Sequence, residues 1–238
     1  MLILGVECTA SPVSVALCDD GLLVAEYFLN QKITHSQTLL PMCENLLKMS
    51  GVSISDIDCF AVTAGPGSFT GVRIGISAVK GLAQGLSKPC VPVSVLEAMA
   101  YGFLASECYV CATMDARCNQ VYNALFKVSD GVVTRLCEDR ALMIDELIPE
   151  LCDIFENDPE RPIFLCGDGA EMLNRVLLSK EIDFVRLAPE NIKLQRASGV
   201  CAVATALIAD GKTVTARELQ PFYLRLPQAE RELKLKQK

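Results

Sequence analysis

The stretch of this 238-residue chain best suited to cradling an anion is Gly65-Pro66-Gly67-Ser68-Phe69-Thr70-Gly71, between an apolar run and a helix-forming segment. Exposed N–H groups at a helix start favour negative charge, and glycine lets a ligand approach the backbone closely. The spacing is not that of a P-loop, because no Lys follows the last glycine. Nor is it G-x-G-x-x-G, because Thr70 stands at the third glycine position. A phosphate cradle, an interface loop and a tight strand-to-helix turn with positive φ all remain open. The sole histidine is His35, so a metal helix of H-E-x-x-H or H-x-x-x-H type is excluded within one chain. At a helix start a cation opposes the helix dipole, so His35 reads as a neutral hydrogen-bonding residue. Cys108 and Cys111 are the only tight cysteine pair among twelve cysteines, with no second pair at matching distance, which argues against a zinc ribbon. Cys8, Cys18, Cys59, Cys166 and Cys201 sit in apolar runs and read as small core residues of a reducing compartment. Asp115 and Arg117 flank a bend and read as a local salt link. Asp168, in Gly167-Asp168-Gly169, is either a cleft-facing acid or a turn residue. These residues define no catalytic set, no metal site and no cofactor site.

The elements that must position them follow from the hydrophobic pattern. Runs at 2–7, 13–18 and 22–29 read as strands, the last two joined by the turn Asp19-Asp20-Gly21. A helix over about 36–50, a strand at 57–63, a helix at 71–87 and a short strand and helix within 91–105 complete the first half. Pro41 requires that its helix begin close by. The second half repeats the order, with strands at 109–114, 121–128 and 132–138, a helix at 145–155, a strand at 162–166 and a helix at 170–178. An apolar helix at 197–209 and a charged tail at 228–238 follow. Two βββαβα units meet near 103–108, giving lobes 1–104 and 105–238, with the last segment placed to return to the first lobe. That is an α/β layout of the two-lobed actin, hexokinase and Hsp70 (ASKHA) type. The hydrophobic content of 51% excludes disorder. No eighteen-residue stretch lacks a charge, so no membrane helix is expected, and the first residues read as a strand and not as a signal peptide. A net charge of −7 makes a stand-alone nucleic-acid binder a poor reading.

Two helices carry the remaining signal. The first places Leu39, Leu40, Cys43, Leu46 and Leu47 at helical spacing. In the second, at about 100° per residue, Gly71, Gly75, Ala78, Gly81, Leu82 and Gly85 fall on one arc, with Arg73, Ser77, Lys80 and Gln84 opposite. An interior helix glycine costs about 0.8–1 kcal/mol relative to alanine. A face built at that cost admits another backbone closely, either within the chain or from a partner chain.

The run from Gly65 to Ser77, continued by Lys80-Gly81-Leu82-Ala83, resembles the signature of the TsaB (YeaZ) family. The opening residues 3–9, Ser14 to Leu17, His35-Ser36, Leu39-Leu40-Pro41, Met114 to Arg117, Val121-Tyr122, Gly167 to Ala170 and Tyr223-Leu224-Arg225 fit the family in order. The resemblance implies an actin/Hsp70-like fold and a non-catalytic, cytoplasmic subunit in bacterial synthesis of N6-threonylcarbamoyladenosine at tRNA position 37. It implies a homologous catalytic partner, TsaD, with an H-x-x-x-H metal site, and a P-loop ATPase, TsaE. It implies tRNA contact through the complex and pairing with TsaD, or with a second copy, through the first-lobe helices. The partner-binding residues expected on that basis are His35, Leu39, Leu40, Cys43, Leu47, Gly71, Arg73, Ile74, Gly75, Ala78, Gly81, Leu82 and Gly85. In ATP-using members of the fold an acid after the first strand, usually Asp, manages metal-bound phosphates. Here Glu7 stands there, which weakens a kinase reading. A kinase and a peptidase-like regulator of TsaD are the alternatives.

Overall fold

The structure is a computed structural model that describes residues 1–31 and 33–225. The charged tail, with Lys234, Lys236 and Lys238, lies outside the described residues. In chain order the elements are β1 (Leu2–Glu7), β2 (Val13–Asp19), β3 (Leu22–Leu29), α1 (His35–Ser50), β4 (Cys59–Gly65), α2 (Phe69–Leu86), β5 (Cys90–Ser94) and α3 (Val95–Ala100). They continue with β6 (Cys108–Arg117), β7 (Gln120–Ser129), β8 (Val132–Arg135), β9 (Arg140–Met143), α4 (Ile144–Asn157), β10 (Ile163–Cys166), α5 (Ala170–Ser179), β11 (Val185–Leu187), α6 (Glu190–Lys193) and α7 (Ala197–Ala209).

The strand orders are β3-β2-β1-β4-β5 and β11-β10-β6-β7-β8. Read from the β8 edge, the second order repeats the first: an antiparallel meander, then parallel strands added beside its first member. Strand β9 is an addition pairing with the near half of β7. The run at 132–138, expected as one strand, ends at Arg135.

The first sheet is covered on both faces, which is why its central strands read as nearly unbroken apolar runs. Leu4, Val6, Val15 and Val62 pack against Leu39 and Leu46 of α1 and Val72 and Val79 of α2. Ile3, Ala16, Ala61 and Val91 pack against Val200, Cys201 and Ala204 of α7. Thus α7, late in the chain, belongs spatially to the first sheet. Its first N–H groups have no cap of their own. Instead Ala197 N donates to Ser14 Oγ at 3.1 Å, Ser198 N donates to Glu26 Oε1 at 2.9 Å, and Arg196 pairs with Glu26 Oε2 at 3.2 Å. The positive helix end thereby gains an acid it lacks in its own sequence. Beyond α7, Val214 bridges to Cys90, and Ala216 and Leu219 enter the first-lobe core. α4 and α5 cover the second sheet through Leu147, Leu151, Leu173 and Leu177.

Pro41 sits in the second turn of α1, where it removes one helical donor; the helix runs on because Leu39, Cys43, Leu46 and Leu47 anchor it. All twelve cysteines are free thiols, and burial pushes Cys43 and Cys111 up to about 12. No described helix is long and apolar enough to cross a membrane.

Candidate functional site: a groove between two helices

Two concavities share one wall. Between the lobes lies a cleft of about 1020 Å³, lined among others by Thr9, Gly67, Met114, Asp115, Asp168 and Arg225. On the outer face of the first lobe, α1 and α2 enclose a groove of about 620 Å³ lined by Ser36, Leu39, Leu40, Phe69, Thr70, Arg73, Ile74, Ser77 and Ala78.

The glycine-rich loop resolves as a tight turn. Gly65 and Gly67 have φ of +132° and +153°, values that side chains rarely adopt. Ser68 N donates to Thr9 O at 2.7 Å, and Ser68 Oγ accepts from Gly71 N at 3.3 Å. A Cβ on Gly67 would sit 2.6 Å from Thr9 O. The Ser68 donor is therefore spent inside the fold, docking α2 onto the turn after β1.

Two residues before Thr9 of the cleft wall, Glu7 is fully buried. Thr9 donates to its Oε1 twice, through N and Oγ1, each at 2.6 Å. Glu7 Oε2 and the buried Thr63 Oγ1 have no hydrogen-bond partner of good geometry. Burial raises the carboxyl's pKa, against the Thr9 and Thr63 hydroxyls, and Asp168 raises it further. An acid enclosed in this way presents no oxygen to solvent, so it does not fit the handling of metal-bound phosphates. Asp168 opens onto the cleft, accepts from Gln195 Nε2 at 3.3 Å and is pushed up to about 6 by desolvation.

The sign of the resulting pH dependence is fixed. A carboxyl whose pKa is higher folded than unfolded binds more protons in the native state, so stability falls as pH rises between the two values and is level above them. For Asp168 that window runs from about 4 to about 6. Asp168→Asn should match the native chain near pH 4 and be slightly more stable at pH 7.5, the gain being small because the carboxyl is exposed to the cleft. Thermal melts at the two pH values check this, and equal melting temperatures at pH 7.5 would contradict it.

The expected partner-binding residues separate into three groups. Leu40, Arg73, Ile74 and Ala78 line the groove with Leu39 at its floor, and Leu40 is 48% exposed. Gly81 and Gly85 lie on the exposed side of α2, and a Cβ on either would meet nothing within 4 Å. The third group faces away from the groove within the subunit. Cys43 and Leu47 are core residues. A Cβ on Gly71 would collide with Cys8 O, and one on Gly75 would come within 2.8 Å of Cys8 Sγ and 3.2 Å of Val62 Cγ2. Leu82 is half-buried against the first-lobe core, and His35 lines the interlobe cleft with Nε2 3.1 Å from Ser11 O. The reason is geometric. The apolar arc of α2 is Val72, Ile76, Val79 and Ala83. The small-residue arc straddles its edge, with Gly71 and Gly75 inside and Gly81 and Gly85 outside. Bulk at Gly75 would therefore disturb the core.

Phe69, Thr70, Ser36 and Ser77 also line the groove and were not anticipated. Asp115 and Arg117 meet through Arg117 N, which donates to Asp115 Oδ1 at 2.7 Å. Among the described residues no three His, Cys, Asp or Glu side chains converge as metal ligands would.

Two sheets of repeated topology around a central cleft, with an unpartnered helical groove on the first lobe, define a two-lobed α/β protein of the actin/Hsp70 type. Over 85% of the chain it superposes with TM-score 0.50 and 12% identity on the ethanolamine utilization protein EutJ from Carboxydothermus hydrogenoformans, covering 90% of that protein. Residues 23–233 match the family model of TsaD, tRNA N6-adenosine threonylcarbamoyltransferase. The tRNA threonylcarbamoyladenosine biosynthesis protein TsaB of Escherichia coli is 34% identical over 227 residues, covering 94% of this chain and 95% of that one. YeaZ from Pseudomonas aeruginosa matches at TM-score 0.74 and 28% identity, covering 94% and 99% of the two chains. The chain belongs to the TsaD-type family and, within it, to the TsaB branch.

Proposed function

We propose that this chain is a non-catalytic subunit of the machinery that makes N6-threonylcarbamoyladenosine in tRNA, and that it organises a homologous TsaD-type catalytic subunit. The observation that carries the reading is the unpartnered face of α1 and α2. Gly81 and Gly85 weaken a helix at positions where, among the described residues, a Cβ would meet nothing within 4 Å, beside a groove floored by Leu39 and walled by Leu40, Phe69 and Ile74. Small residues next to an apolar groove suit close approach by another helix pair. A homologue carries an equivalent pair, so a second copy of this chain is the competing occupant. A P-loop ATPase of TsaE type would join the pair, tRNA would be reached through the assembly, and the site of action would be the cytoplasm. The enclosed Glu7 speaks against the kinase alternative, and a single histidine speaks against a second copy of the partner's metal site.

Reconstitution tests the proposal. The purified chain alone should give no modified nucleoside on tRNA, and modification by the TsaD-type partner and the ATPase should depend on its addition. Turnover by the chain alone, or saturable micromolar binding of ATP with magnesium in calorimetry, would remove the reading.

A further inference from the structure

We propose that Tyr223 is a positioning residue that couples the α1–α2 groove to the interlobe cleft, so that docking in the groove sets the relation of the two lobes. The proposal rests on the reading of the groove as the docking surface. Arg73 lines the groove and Tyr223 lines the cleft, while Phe69, Thr70 and Ile74 line both. Across this shared wall Arg73 Nε donates to Tyr223 Oη at 2.9 Å. The Phe69 and Tyr223 rings stack with centroids 4.9 Å apart at 28°, and the Arg73 guanidinium lies 3.8 Å from the Phe69 centroid. Arginine, phenylalanine and tyrosine thus form one ladder, each member held by the other two.

The segment carrying Tyr223 is tied to both lobes within four residues. Phe222 N donates to Ala64 O at 2.7 Å in the first lobe, and Arg225 Nη1 donates to Ala116 O at 2.6 Å in the second. Only Tyr223 and Leu224 separate the two anchors. An occupant that shifts Arg73 or Phe69 breaks the hydrogen bond or the ring stack on Tyr223 unless Tyr223 moves with them. Tyr223 in turn pulls on Arg225 and the end of β6. The route is a chain of direct contacts from groove to second lobe, and an occupant preferring one setting of the ladder selects the matching lobe position.

Hydrogen–deuterium exchange on the full chain tests this, read by mass spectrometry over residues 114–119, with residues 124–128, which pair with the far half of β6, as an internal control. In the isolated chain, Arg73→Ala and Tyr223→Leu should each speed exchange at 114–119 by roughly tenfold, with the control unchanged. Tyr223→Phe, which keeps the stack and loses the hydroxyl, should fall between. With the TsaD-type partner, the native chain should gain protection both in α1–α2 and at 114–119, and Tyr223→Leu should gain it in α1–α2 alone. Unchanged exchange at 114–119 in Arg73→Ala would overturn the coupling whatever the partner does. Absence of partner protection in α1–α2 of the native chain would instead remove the docking reading, and the isolated-chain comparison would still decide the coupling. If Tyr223→Leu also speeds the control, it has loosened the fold, and Arg73→Ala and Tyr223→Phe decide.

Discussion

Gly71→Ala should cost the protein about 3 kcal/mol or more, whereas Gly81→Ala, on the same helix, should stabilise it by about 0.5–1 kcal/mol. The same methyl group is added in both cases, so helix propensity alone would give both the same sign. The difference lies in what the methyl meets. At Gly71 it runs into the carbonyl oxygen of Cys8, a buried residue directly after β1. The helix and strand can separate only by opening the contacts of Val72, Ile76 and Val79. At Gly81 nothing lies within 4 Å, and only the entropy of the unfolded glycine is lost. Gly75→Ala should be intermediate, since Cys8 Sγ and Val62 Cγ2 are side-chain atoms with some freedom to yield. Urea unfolding followed by circular dichroism orders the three. A native midpoint for Gly71→Ala would mean that α2 does not approach β1 as closely as described.

Ala78→Arg should weaken association with the TsaD-type partner by about 2 kcal/mol or more, a factor of about 30, with little change in stability. Ala78 lines the groove opposite Leu40, and an arginine there fills the space that a partner's side chain would take while its guanidinium stays in water. Leu40→Glu should have a similar effect from the other wall, because it places a charge where apolar surface is to be covered. Leu178→Glu, at a slightly more exposed leucine in the second lobe, should leave binding intact. Calorimetric titration of each variant into the partner measures the three affinities. Native affinity for both Ala78→Arg and Leu40→Glu would show that the docking surface lies elsewhere, and any second-copy dimer would then be examined with the same variants.

Local pattern carried the architecture well where one element's residues suffice. The apolar stretch 197–209 is α7 with those bounds, and the first three-strand meander is where alternation and the turn Asp19-Asp20-Gly21 put it. What escaped was set by distant neighbours. Nothing near Arg196 announces that α7 will be capped by Glu26, 172 residues before Ser198. The small residues of α2 are visible at their spacing, yet whether each faces β1 or water depends on the apolar arc beside them. Phe69 read as part of a glycine-rich loop because its partner Tyr223 is far along the chain and no periodicity links them. Strand β9 escaped because four residues, Arg140 to Met143, are too few to show alternation.

The return of α7 and Val214 to the first sheet sets an order for synthesis. Every strand of the second sheet lies between residues 108 and 187, and the helices that cover it, α3, α4 and α5, all precede α7, so that lobe is complete once α6 has left the ribosome. The first lobe, made earlier, keeps Ile3, Ala16, Ala61 and Val91 without their α7 cover until residues 197–209 emerge. The half translated first therefore finishes second, and a nascent chain stalled before residue 197 would hold one closed lobe and one sticky sheet face for chaperones to shield.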